Sequence, residues 1–251
     1  MRRISAVAVV VATLSTLAVL PPACVAATSG INLYWNDCSP ASGGTGVTDR
    51  AFDCLSNTGP NVMFGSFSPP APLSDLVGVS AVIDLVTSES PLPAWWSMQT
   101  GGCRAGACTA SFDFTGGPFS CDDVWAGQAS GGMDYQAPPY YYGNPNAARI
   151  RVVGAVPEGH PMLADGTEHY AFKVTITNVK STGAGACAGC SARACIVFTM
   201  MQLVQPAGLG DYRLNSALSN TWITWQGVGV DCLQVPVRNR TWGELKSLYR
   251  R

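Results

Sequence analysis

Three cysteines fall within nine residues in the stretch GACAGCSARAC, at Cys187, Cys190 and Cys195. Cysteines at this spacing can clamp a metal, exchange a disulfide or staple a loop. Tetrahedral zinc needs a fourth ligand; Cys232, His160 or His169 would have to serve, and no second C-x-x-C accompanies the first. A redox pair usually sits at a helix N-terminus, where the thiol pKa falls. Cys187-Ala-Gly-Cys190 stands instead in a Gly/Ala/Ser loop ahead of the strand-like run CIVFTMMQLV. Covalent haem attachment requires His directly after the second cysteine, and Ser191 is there. The staple fits best, provided the compartment is oxidising.

The first residues bear on that condition. Arg2 and Arg3 precede an apolar run from Ile4 to about Leu20, and small residues from Ala23 to Ala27 offer a cleavage site. This layout predicts a secretory signal peptide over residues 1–26. The run lies near the lower limit for a membrane span, and Pro21 and Pro22 stand where a lipobox before Cys24 would need small or aliphatic residues. No second long apolar run follows, so no membrane span is expected after signal removal. Removing Arg2 and Arg3 leaves 13 basic residues against 16 acidic ones. Without a basic stripe, nucleic acid is not an expected partner.

With Cys24 removed, nine cysteines remain. In an exported chain, disulfides are the default reading. Eight are expected to pair: Cys38, Cys54, Cys103, Cys121, Cys187, Cys190, Cys195 and Cys232. Proximity across hairpins suggests Cys38 with Cys54, and Cys103 with either Cys121 or Cys108. The three-cysteine loop would close once on itself and reach Cys232 once. Pairing Cys103 with Cys121 leaves Cys108 over.

Other groups offer little chemistry. His160 lies in the turn-like PEGHPM and His169 starts the strand-like HYAF. No nucleophile elbow, zinc-protease helix or phosphate loop occurs, and no catalytic residue is assigned. Asp37, Asp49, Asp53 and the pair Asp122-Asp123 carry oxygens suited to calcium, but their spacing matches no calcium loop; they read as turn residues, with no metal and no cofactor expected. The aromatics offer more. Trp95-Trp96 follows LPA, and Tyr140, Tyr141 and Tyr142 lie between prolines and GNPN. If that tryptophan pair is extended, the two rings face opposite ways, and one of them is exposed. Trp95, Trp96, Tyr140, Tyr141 and Tyr142 are therefore the candidate ligand-binding residues. They would form a stacking platform beside Asp, Asn and Gln of the kind a sugar or peptide site uses.

The elements that must position them read as strands. INLYW (31–35) alternates apolar and polar residues, and so do NVMFGSF (61–67), VSAVIDLV (79–86), TASFDF (109–114), ARIRVVGAV (148–156), HYAFKVTITNV (169–179), CIVFTMMQLV (195–204) and NTWITWQ (220–226). Period-two alternation with Val, Ile, Thr and aromatics between Gly/Pro/Asn clusters is a strand signal. Phe172, Val174, Ile176 and Asn178 share one face. Such strands predict an all-β, disulfide-stapled antiparallel β-sandwich as a single domain over 27–238. One short amphipathic helix is expected over 239–251. Thr241 and Glu244 form a capping box there, Trp242, Leu245 and Leu248 or Tyr249 share a face, and a helix this short must dock to persist.

INLYWNDC, LPAWW, SFDF, AFKVTITNVKSTGAGACAGC and the terminal RNRTWGELKSLYR together resemble an uncharacterised family of secreted, cysteine-containing bacterial proteins ending in TWGxxKSLYR. That resemblance implies an extracytoplasmic location and no particular activity. A looser similarity, of architecture alone, is to cohesin-like or Ig-like jelly-roll sandwich modules. The expected function is a secreted or cell-surface binding or structural module, whose partner is an extracellular glycan or a cell-surface protein. A secreted enzyme of unassigned class, or a subunit of a surface assembly, is the alternative.

Overall fold

The computed structural model describes residues 29–114, 121–138, 144–162 and 166–227, together with Cys232. The expected signal peptide over 1–26 and the expected helix over 239–251 fall outside the described residues. The expected all-β sandwich is what the chain forms. Among the described residues eleven strands run in order as β1 (Gly30–Trp35), β2 (Asp49–Arg50), β3 (Pro60–Ser68), β4 (Leu73–Thr87), β5 (Cys108–Ser111), β6 (Ser130–Gln136), β7 (Ala147–Met162), β8 (His169–Thr177), β9 (Ala194–Val204), β10 (Tyr212–Leu214) and β11 (Trp222–Trp225). They build a four-stranded sheet, β1-β3-β8-β5, and a larger sheet, β2-β11-β9-β4-β7-β6, with β10 on β9. All pairings are antiparallel except β11 with β2.

The alternation read from the sequence explains which faces meet. Phe172, Val174 and Ile176 on β8 turn inward, as do Ile31, Leu33 and Trp35 on β1, Ala81, Ile83 and Leu85 on β4, and Ile150 and Val152 on β7; every one is fully buried. Between the sheets, Phe172 meets Phe198 edge-on at 5.4 Å. A register shift at Gly65/Ser66 leaves Ala171 unpaired on β8, so the next aromatic, Tyr170, lies on the opposite side of that sheet from Phe172. At Gly65 any side chain would collide with the Phe172 ring, which fixes glycine beside the bulge.

Tyr170 joins Phe64, Cys38 and Cys121 in a second, smaller apolar cluster. Two covering loops are stapled there by Cys38–Cys121. The outer edge of β1 is closed by residues 216–220, through Ile31 N–H to Ser216 O at 3.0 Å and Leu33 N–H to Asn220 O at 2.8 Å. Among the described residues no helix is long and apolar enough to cross a membrane.

Candidate functional site

Trp95 and Trp96 do not form an exposed platform; both are fully buried, which corrects the sequence expectation. The physical reason is local. After Pro93, residues Ala94–Trp96 form a single 3-10 turn rather than an extended piece, so adjacent side chains need not point to opposite faces. The two rings meet edge-on at 4.9 Å, and both pack against Trp225, at 4.7 Å and 5.4 Å. Trp225 in turn stacks on Phe52 at 4.0 Å.

Arg104, fully buried, closes this aromatic cluster. Its guanidinium lies 3.4 Å from the Trp95 ring centre. It donates to the carbonyls of Trp95 and Val179, each at 2.9 Å, and of Thr177. Beside it lie Cys108 and Tyr135, and the Tyr135 hydroxyl donates to Trp96 O at 2.6 Å. Burial lowers Arg104 to about 10 and pushes the Cys108 thiol up to about 12 against the pull of Arg104. Burial likewise raises Tyr135. Carbonyl dipoles and a π-face hold this cation inside the protein. Such an arrangement binds loops together; it offers a ligand no surface.

The eight expected cysteines do pair, and Cys108 is the buried free thiol. Their partners differ from the hairpin guess. Cys38 joins Cys121 rather than Cys54, Cys54 joins Cys190, and Cys103 joins Cys187 rather than Cys121 or Cys108. The three-cysteine loop makes no bond within itself; it reaches Cys232 once, through Cys195. Packing the sheets face to face brings distant loops together, and the closing distances are set in space, not along the chain.

Spacing does not reveal two further arrangements, the Glu168 cluster and the pairing of His169 with Asp122. Glu168, buried beneath the 38–46 loop, accepts from Asn32 Nδ2 at 2.7 Å, Ser66 Oγ at 2.5 Å, Ser42 Oγ at 3.4 Å and Ser39 Oγ. Asn32 Oδ1 accepts in turn from Ser219 and Asn220, and Tyr170 OH accepts from Ser39 N–H at 2.7 Å. Next along the chain, His169 Nδ1 meets Asp122 Oδ2 at 2.6 Å. An oriented imidazole of this kind is half of a general-base arrangement. Among the described residues no hydroxyl or thiol hydrogen-bonds its other nitrogen. His160 has a buried Nε2 with no hydrogen-bond partner among the described residues.

Of the other acids considered for calcium, Asp37, Asp53 and Asp123 accept backbone amides in turns. Asp37 takes Cys38 N–H and Thr45 N–H at 2.8 and 2.7 Å, Asp53 takes Leu55 N–H, and Asp123 takes the amides of Trp125 and Gly127. Asp49 accepts from the Thr224 hydroxyl at 2.6 Å. Among the described residues no group of three or more His, Cys, Asp or Glu is placed to hold a metal ion.

Tyr140, Tyr141 and Tyr142 lie outside the described residues, in the connection from β6 to β7. The base of that connection is fixed on its far side. Ala147 N–H donates to Asn144 O at 3.0 Å, Leu92 N–H to Pro145 O at 2.8 Å and Thr87 N–H to Asn146 O at 3.0 Å. The Asn146 amide donates to Thr87 O at 2.7 Å.

Fold and bonding define a disulfide-stapled antiparallel β-sandwich with cross-linked loops. Comparison with protein-family models, curated proteins and solved structures returned no match.

Proposed function

We propose that the protein works outside the cytoplasm as a rigid binding module that presents the Tyr140–Tyr142 run to an extracellular glycan. The observation that carries this reading is the anchoring of the connection's base by four hydrogen bonds to β4 and its following loop and within the connection itself. A recognition loop gains affinity when its ends are already held, because less ordering entropy is lost on binding. Tyrosines between prolines supply flat apolar faces with polar tips, suited to stacking on sugar C–H faces. The four disulfides support the extracytoplasmic location, where such bonds persist.

Affinity electrophoresis through polysaccharide-containing gels, backed by a glycan array, tests the reading. The intact protein should be retarded by at least one glycan, and Tyr141→Ala should weaken that interaction about ten-fold or more with an unchanged melting temperature. Binding to no glycan, or binding indifferent to Tyr141→Ala and Tyr140→Ala alike, overturns it.

A further inference from the structure

The outward face of the large sheet carries a set of apolar residues beside the Asp84–Arg149 ion pair and Arg151. An antiparallel sheet with one side in water normally presents polar residues there. Cross-strand partners share a face, and the registers place Val197 opposite Trp222 and Met200 opposite Val82 on this side. Val153 follows on β7, opposite Ser80. The inward positions beside them are Ile223, Phe198, Met201, Ile83 and Val152, all in the core. Val82 is only 9% exposed although it belongs to neither core cluster, whereas Val153 is 54% exposed.

A disulfide leads the chain onto this face. Cys195 stands in register with Thr224 and Val86, between the core residues Ala194 and Ile196, so its side chain points outward. It is fully buried, outside both core clusters, and bonded to Cys232. The 19 residues 233–251 therefore start from the outward face of β9. They include Trp242, Leu245, Leu248 and Tyr249 at helical spacing behind the Thr241/Glu244 capping box, a pattern that needs an apolar surface to persist.

The lengths fit. Residues 233–240 reach up to about 26 Å when extended, and 241–251 as a helix measure about 16 Å. From Cys195 to Met200 along β9 is about 17 Å, and β7 lies about 10 Å across the sheet from β9. Charges of both signs stand beside the apolar residues, Arg151 opposite Val82 and Asp134, and Asp84 opposite Val197, for Glu244 and for Lys246, Arg250 and Arg251.

We infer that residues 239–251 pack across the outward face of the large sheet, with Trp242 and Leu245 over Val82, Val197 and Met200 and the Cys195–Cys232 bond as the tether. Hydrogen–deuterium exchange on the oxidised full-length protein tests this. Amides of 242–249 should exchange at least ten-fold more slowly than an unstructured peptide of that sequence. Met200→Glu and Trp242→Ala should each abolish that protection while the core strands stay protected. Thr175→Glu, on the outward face of the other sheet, should leave it intact. Three results overturn the inference: free exchange of 242–249 in the unmodified protein, protection that survives both Met200→Glu and Trp242→Ala, or protection that falls on dilution, which would place the segment on a second copy instead.

Discussion

The Arg104 guanidinium lies 3.4 Å over the Trp95 ring and at the same time binds that residue's own carbonyl at 2.9 Å. One side chain thus holds both the ring and the carbonyl of Trp95 and ties the turn to β8 through Thr177 and to Val179 beyond it. Arg104→Met should lower unfolding stability by about 3–4 kcal/mol, because three carbonyls lose their donors inside the protein. Arg104→Lys should recover only part, since an ammonium cannot meet three divergent carbonyls and stack on the ring together. Urea titration of the oxidised proteins measures both. An Arg104→Met protein as stable as the parent would remove Arg104 from the account of the core.

Glu168 should behave as a structural hub. Glu168→Gln places an amide where hydroxyl and amide donors already converge, and should cost about 1–2 kcal/mol. Glu168→Leu, which strands those donors, should cost about 3 kcal/mol. Both are read from the same titrations, and a neutral Glu168→Leu would show that the Ser39–Ser66 cluster is satisfied without the carboxylate.

The free thiol should be silent until the protein unfolds. With Cys108 pushed up to about 12, roughly one molecule in 10,000 carries the thiolate at pH 8. In protein freed of residues 1–26, and so of Cys24, native alkylation should be undetectable over hours, and the unreduced denatured chain should take up one equivalent. Fast native labelling would mean that Cys108 reaches solvent.

Much of this was visible in the sequence, and the remainder has identifiable causes. Eight strands announced themselves because inward residues such as Phe172, Val174 and Ile176 recur at period two. β2 and β10 are too short to show a period, and Gly131-Gly132 erase it in β6. Trp95 and Trp96 were misread because alternation was applied to a 3-10 turn. Cysteine partners depend on which loops the packed sheets bring together, which no spacing encodes. Arg104 and Glu168 look like any surface charges on the page; their burial is a property of the surrounding carbonyls and hydroxyls, supplied from residues far along the chain. Cys38 to Cys121 spans 83 positions.

The 38–46 loop should loosen in acid. Burial alone would raise Asp37, but hydrogen bonds from Thr45 and Cys38 outweigh it and hold the carboxyl below its ordinary value. A carboxyl lowered on folding stabilises fully above the ordinary aspartate range near 4, and that contribution is lost as pH falls through the lower native value. The stability gap between parent and Asp37→Asn should thus be constant at pH 5–7 and shrink below about pH 4. A gap that grows in acid would reverse the assignment.

The disulfide framework is what supports the proposed extracytoplasmic location, and peptide mapping of the unreduced protein freed of residues 1–26 tests it most directly. The expected map joins Cys38 to Cys121, Cys54 to Cys190, Cys103 to Cys187 and Cys195 to Cys232, with Cys108 as the one alkylatable thiol. Three or more free thiols, stoichiometric zinc, or a bond between Cys187 and Cys190 would contradict it.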